Sequence, residues 1–230
     1  MLRMSQLILA KQSAATTPIL DGLILWYDAI NNTGTGHSDS PSNWFDLSGN
    51  GNHGTLTSVT WEANSAVLDD ISDRILTPVT LPTSGNFTVE LVFKAAAGTG
   101  RKTLFSQHNG SSNTLFVARA SSSLAAPLEL LINSFTPVAT GSVTIPEEQI
   151  AAMSFTRNGT RCRIYTNGNS DVSYTTSVAL PNVPVRFGGL GNATYAFLGN
   201  MYSARIYNRA LSPEEIAYNY AYDQATYPAS

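Results

Sequence analysis

Two kinds of chemistry are within reach of the polar residues of this chain. In the run Trp44-Phe45-Asp46-Leu47-Ser48-Gly49-Asn50-Gly51-Asn52-His53-Gly54, the residues Asp46, Ser48, Asn50 and Asn52 recur at every second position. Carboxylate, hydroxyl and amide oxygens are what a calcium ion takes as ligands. The full D-x-[DN]-x-[DN]-G-x5-E calcium loop is missing, and the same side chains can equally bond to the backbone of their own loop. Trp44, His53, Asn192 and Tyr195 are of the types that build a sugar site, an aromatic platform beside amide and ring-nitrogen partners. For Trp26, Trp44 and Trp61 the competing reading is a place in the core, where Trp is common.

Acid catalysis finds less support. Retaining cleavage of a glycosidic bond needs two carboxylates about 5–5.5 Å apart. Glu90 is the only acid of its segment, and Glu147-Glu148 follow Pro146 at a turn or helix start. Asp69, Asp70 and Asp73 decorate a loop, and Glu214 and Glu215 are accounted for by helix capping. No catalytic residue is assigned. His37, His53 and His108 are far apart in sequence, and Cys162 reads as a small buried apolar residue rather than a nucleophile.

Charged residues make up 13% of the 230, the net charge is −3, and only three lysines occur. No basic stripe exists that would neutralise phosphates, so nucleic acid is not an expected partner. No apolar run approaches the roughly 20 residues that span a bilayer. The patch Leu7-Ile8-Leu9-Ala10 stops at Lys11 and falls short of a signal-peptide core. No secretory signal is read in this segment.

The elements that would position these residues are mostly strands. Residues 1–20 read as an N-terminal arm, 21–222 as one domain and 223–230 as a tail. Leu23 to Tyr27 is a short apolar run that suits a strand covered on both faces. In Phe87 to Lys94, Phe87, Val89, Leu91 and Phe93 face inward, and Thr88, Glu90 and Lys94 outward. Val92 breaks the alternation and marks an outer face that is partly covered. Further strands are expected at 103–107, 114–119 and 128–132. A hairpin should turn at Asn158-Gly159 with the two positive φ angles of a type I′ turn, and a second turn should follow at Asn167-Gly168. Residues 111–126 are biased in composition and include a loop tip. Tyr202, Ala204 and Ile206 alternate as a last strand. A helix then starts with Ser212 as N-cap, Pro213 at its first position, Glu215 closing a capping box, and Leu211 and Ile216 as a hydrophobic staple.

Three phrases carry a resemblance. W-x-D-L-S-G-N-G-N-H-G-T-L begins at Trp44, R-I-Y-T-N-G at Arg163, and R-I-Y-N-R-A-L-S-P-E-E-I at Arg205. Their order and content resemble the laminin-G-like branch of the concanavalin A-like lectin/glucanase superfamily, over about residues 21–222. The resemblance implies an all-β fold, an antiparallel β-sandwich of jelly-roll type with a short C-terminal helix after the N-terminal arm. It also implies a binding or display role, because the glucanase branch carries E-x-D-x-E on one strand and no such triplet occurs here. The expected function is a non-catalytic structural protein of a bacteriophage particle, a head fibre, decoration or tail-associated protein that binds host-surface glycan. The alternatives are a secreted carbohydrate-binding module and, behind it, a glycoside hydrolase. The expected partners are other virion proteins through the arm, host-surface polysaccharide and further copies of the chain. No cofactor is required, and calcium is an option at Asp46, Ser48, Asn50 and Asn52.

Overall fold

The structure is a computed structural model that describes residues 16–98, 100–108, 114–119, 125–133, 136–189 and 196–228. The described strands form two antiparallel sheets packed face to face. The first contains β1 (Leu23–Asp28), β3 (Thr60–Glu62), β4 (Ser65–Leu68), β6 (Phe87–Ala95), β11 (Ile150–Asn158), β12 (Arg161–Thr166), β13 (Asn169–Thr175) and β15 (Gly199–Tyr207). Their order is β13-β12-β11-β6-β15-β4-β3, and β1 shares one side of β15 with β4. The second contains β2 (Thr55–Thr57), β5 (Arg74–Thr80), β7 (Lys102–His108), β8 (Thr114–Arg119), β9 (Ala125–Ile132), β10 (Ala139–Pro146) and β14 (Pro184–Gly188). It runs β10-β9-β8-β7-β14-β5-β2. The expected sandwich is therefore present. The expected strands at 103–107, 114–119 and 128–132 lie side by side as β7, β8 and β9.

The core sits between the sheets because the strands alternate. Phe87, Val89, Leu91 and Phe93 of β6, Met153 and Phe155 of β11, and Cys162 and Ile164 of β12 meet Ile75, Leu104, Phe105, Val117, Leu130, Val185 and Phe187 of the facing sheet. Each such side chain contributes about 1.5–3 kcal/mol by leaving water. Cys162 is one of these core residues, and burial pushes its thiol up to about 11.

One expectation needs correcting. Thr88, Glu90 and Val92, on the opposite face of β6, are as buried as their inward neighbours. The helix α1 (Pro213–Thr226) accounts for this, because Leu211, Ile216 and Tyr227 join Leu23, Val92, Tyr165, Tyr202 and Tyr207 in two apolar clusters on that face. The Val92 irregularity was the sequence trace of this cover. The domain limits shift for the same reason. Pro18 is buried and the Ile19 N–H donates to Asn219 Oδ1 at 2.8 Å, so the arm joins the domain before residue 20. Asp223 and Tyr227 are buried as well, so the boundary at 222 falls inside the helix. Residues 1–15 lie outside the described residues.

The helix start is as read. Ser212 Oγ accepts from the Glu215 N–H at 3.3 Å, and the Glu215 carboxylate accepts from the Ser212 N–H at 2.8 Å. The hairpin turns differ from expectation. Asn158 pairs with Arg161, which leaves Gly159-Thr160 as the loop, with φ +58° at Gly159 alone. That is the type II′ pattern, with glycine first. The Asn86 side chain holds it in place, accepting the Gly159 N–H at 2.7 Å. The two positive angles of a type I′ turn occur instead at Asn167 (φ +50°) and Gly168 (φ +76°), between β12 and β13.

Candidate functional site

The loop from Trp44 to Gly54 closes on itself through paired backbone bonds, Trp44 N–H to Gly54 carbonyl at 2.9 Å and the reverse at 2.8 Å. Asp46 is its centre. Its Oδ1 accepts from the Trp26 N–H (2.9 Å) and the Ser48 N–H (3.0 Å), and its Oδ2 from the Ser48 hydroxyl and the Asn52 N–H (both 2.8 Å). The Asn50 amide reaches the Leu23 carbonyl at 3.3 Å, and the Asn52 amide the Ile24 carbonyl at 2.7 Å. All four residues thus spend their side chains inside the loop or on β1. Among the described residues no group of three or more His, Cys, Asp or Glu is arranged to hold a metal ion.

The sugar-site residues do not assemble as a set. Trp44 is fully buried, which corrects its reading as a platform: no ring face reaches solvent. It stacks on Tyr27 at 5.2 Å, meets the edge of Trp61, and donates from Nε1 to the Asp28 carbonyl at 3.1 Å. Burial, with Asp46 nearby, pushes the Tyr27 phenol far up, and its hydroxyl donates to the Asn52 carbonyl at 2.7 Å. His53 is half-buried, its ring 4.4 Å from Phe45, and its Nδ1 accepts the Asp46 N–H at 3.0 Å. Asn192 and Tyr195 lie outside the described residues.

The acids are occupied too. Glu90 accepts from Arg205, Ser154 and Asn219 beneath α1. Asp223 receives the same arginine's other two nitrogens. Glu147 and Glu148 form a turn, with Glu148 at φ +57° and its carboxylate on the Ala97 N–H at 2.7 Å. Asp73 is buried rather than decorative: its Oδ2 accepts the Asp69 and Asp70 N–H groups, both at 2.9 Å, and burial raises its carboxyl.

The outer face of the second sheet offers more. Arg186 of β14 stands in register between Leu76 of β5 and Ser106 of β7. Leu76 is 39% exposed, a large apolar side chain facing away from the core. Arg186 is half-buried, and its buried Nε and the buried Ser106 Oγ have no hydrogen-bond partner among the described residues. Burial and the nearby Arg74 lower the Arg186 guanidinium, and burial and Arg186 lower the imidazole of His108, two residues beyond Ser106. The half-buried Arg186 guanidinium beside the exposed Leu76 side chain can take a ligand with both C–H faces and oxygen acceptors. The sequence signals for this row were weak: Leu76 breaks the alternation of β5, and Arg186 sits alone between Val185 and Phe187.

Solved structures share this sandwich. Domain 4 of AbnA, a GH43 extracellular arabinanase from Geobacillus stearothermophilus solved in complex with arabinotriose, is 21% identical with a TM-score of 0.65, covering 85% of this chain and 96% of that one. Trypanosoma rangeli sialidase is 14% identical with a TM-score of 0.68, covering 89% of this chain, which spans only 33% of the sialidase. The binding domain of Paraclostridial Mosquitocidal Protein 1 is 15% identical with a TM-score of 0.63, covering 87% of this chain and 52% of that one. These identities speak for the fold alone. A search among curated proteins found no match. The family model Laminin_G_3, described as concanavalin A-like lectin/glucanases superfamily, matches residues 69–217, from the turn between β4 and β5 into α1. With most of both sheets inside that match, the chain belongs to the concanavalin A-like lectin/glucanases superfamily.

Proposed function

We propose that this chain is a non-catalytic recognition and display domain that binds host-surface glycan and is carried on a bacteriophage particle, as a head fibre, decoration or tail-associated protein. The row Leu76–Arg186–Ser106 carries the glycan part. An exposed apolar side chain beside a half-buried guanidinium on a rigid sheet suits a sugar ring, which presents C–H groups on its faces and hydroxyls around its rim. The arabinotriose complex of the arabinanase domain supports the same reading. The particle part draws on the sparsely charged surface and the N-terminal arm. The non-catalytic part draws on the acids: Glu90 and Asp223 are neutralised by Arg205 under α1, and Glu215 is spent in the helix cap. A second reading, a carbohydrate-binding module of a larger secreted enzyme, is favoured by the near-complete match to one domain of an extracellular arabinanase.

The test is binding to a panel of bacterial surface polysaccharides, in calcium and in chelator. Saturable binding to one class is expected, weakened about 10-fold or more in Arg186→Ala, and equal in both buffers because the Asp46 oxygens already have donors. No binding to any member sinks the glycan reading, and loss in chelator returns a metal to the loop. Deletion of residues 2–15 tests the particle reading. The truncated chain is expected to keep the parent melting temperature, because it retains the buried Pro18 and the Ile19 bond to Asn219, and to lose attachment to the particle. Normal attachment after the deletion rules the arm out as anchor.

A further inference from the structure

A second surface, on the sheet opposite Leu76 and Arg186, carries charge that nothing above uses. A cleft of about 480 Å³ opens on the outer face of the first sheet, between β11 and β12 on one side and the segment entering α1 on the other. Strand alternation builds its floor. Cys162 and Ile164 point into the core, so Arg161, Arg163 and Tyr165 point out, beside Thr156 and Asn158 of β11. The far wall is formed by residues 209–213 and Glu215.

The charges in this cleft do not balance. Arg209 is paired through Nε with Asp21 at 2.8 Å and with Glu215, whose carboxylate receives Arg209 Nη1 and Nη2 and the Ser212 N–H. The capped helix end therefore has its first donors satisfied and adds no free site. Arg161 and Arg163 have no ion pair and no hydrogen bond among the described residues. Their cross-strand neighbours on β13, Thr175 and Ser173, are neutral, as are Thr156 and Asn158. Two unpaired guanidinium groups thus line one side of a recess, in a chain whose net charge is −3 and whose surface is sparsely charged. On a strand, positions two apart place them about 7 Å from each other on one face.

The geometry points to this cleft as a binding site for an acidic glycan, a chain whose sugars carry carboxylate or sulfate groups. The anionic groups pair with the forks of Arg161 and Arg163, and sugar hydroxyls meet Thr156 and Asn158. Planar guanidinium groups take carboxylate and sulfate oxygens two at a time, and such charge-assisted bonds are stronger than neutral ones. A recess of this size holds one or two sugar rings beside the two guanidinium groups. The site is independent of the Arg186 row.

Calorimetry with three short probes tests it: an oligogalacturonate for the carboxylate, a sulfated galactan oligosaccharide free of carboxylates, and a neutral galactan oligosaccharide. At least one acidic probe is expected to bind, with affinity falling as salt rises. The neutral probe is expected to bind this cleft at least about 10-fold more weakly. The double variant Arg161→Ala/Arg163→Ala is expected to lose the acidic probe by about 10-fold or more, while melting like the parent because neither side chain holds a partner. Arg186→Ala is expected to leave this binding unchanged. Which acidic probe binds identifies the carboxylate or the sulfate as the ligand group. The inference is overturned if neither acidic probe binds, if the neutral probe binds as tightly as the acidic ones and is equally weakened in the double variant, or if the double variant binds as the parent does. Loss in Arg186→Ala alone would overturn it while leaving the outer-face reading intact.

Discussion

Replacing Arg205 with Met is expected to remove about 3–5 kcal/mol of stability, the cost of leaving buried charge without its partner. Arg205 is 1% exposed, its Nε is 2.9 Å from Glu90, and Nη1 is 2.8 Å from Asp223, which also receives Nη2. The three groups come from β15, β6 and α1, and the α1 partner ties the helix to the sheet. Glu90 keeps its bonds to Ser154 at 3.0 Å and Asn219 at 2.7 Å in the variant, but Asp223 loses both guanidinium bonds. Two buried carboxylates then face each other with no cation. Urea unfolding reads the loss directly. Adding Glu90→Gln and Asp223→Asn is expected to recover much of it, because the penalty is uncompensated charge rather than missing volume. A loss below about 1 kcal/mol in the single variant sinks the account.

The same cluster sets a pH dependence. Burial, opposed by Arg205, pushes the Asp223 carboxyl up to about 6 from its ordinary 3.8. Between those two values the folded chain holds a proton that the unfolded chain has released, so stability falls as pH rises through the window and is flat above it. Asp223→Asn is expected to abolish this slope. In Arg205→Met the slope steepens, because two uncompensated carboxylates then favour the protonated, acid side.

These expectations also mark where sequence reading stops. The alternation at 87–93 and the capping box at Ser212 and Glu215 were legible because both are local: period two and period three are written in neighbouring residues. The burial of Glu90 was not legible, since its cover arrives about 120 positions later with α1. Only Val92 betrayed it. The turn at Asn158-Gly159 was misplaced for a related reason. Moving the loop to Gly159-Thr160 shifts the pairing by two residues, which keeps Phe155, Cys162 and Ile164 on the core face. Alternation is blind to such a shift, and the Asn86 bond to Gly159, made across 73 positions, settles it. At the candidate sites, residue type suggested Trp44 as a sugar platform, but an aromatic flanked by Tyr27 and Trp61 in space is core. Arg161 and Arg163 became notable only when their lack of ion pairs among the described residues was visible, and Arg186 only when it was seen in register beside the exposed Leu76.

Asp46→Ala is expected to cost about 2–4 kcal/mol, because four donors lose their acceptor at once. Ser48 and Asn52 are half-buried, and water can replace part of what they lose. The Trp26 N–H belongs to β1, and it is orphaned when the loop lets go. Through Asn52, which accepts the Tyr27 hydroxyl, and through Trp44 stacked on Tyr27, the disturbance reaches the end of the core. Asp46→Asn is the sharper probe. It keeps one acceptor oxygen, but its amide nitrogen brings two hydrogens to a position that now receives donors, so it should cost about as much as alanine rather than rescue it. Urea unfolding of both variants, followed by tryptophan fluorescence and repeated in calcium and in chelator, reads the result. A loop held by its own hydrogen bonds loses the same stability in both buffers. If the parent is markedly more stable in calcium and the variants lose that difference, Asp46 is a metal ligand and the self-bonded loop is the wrong account.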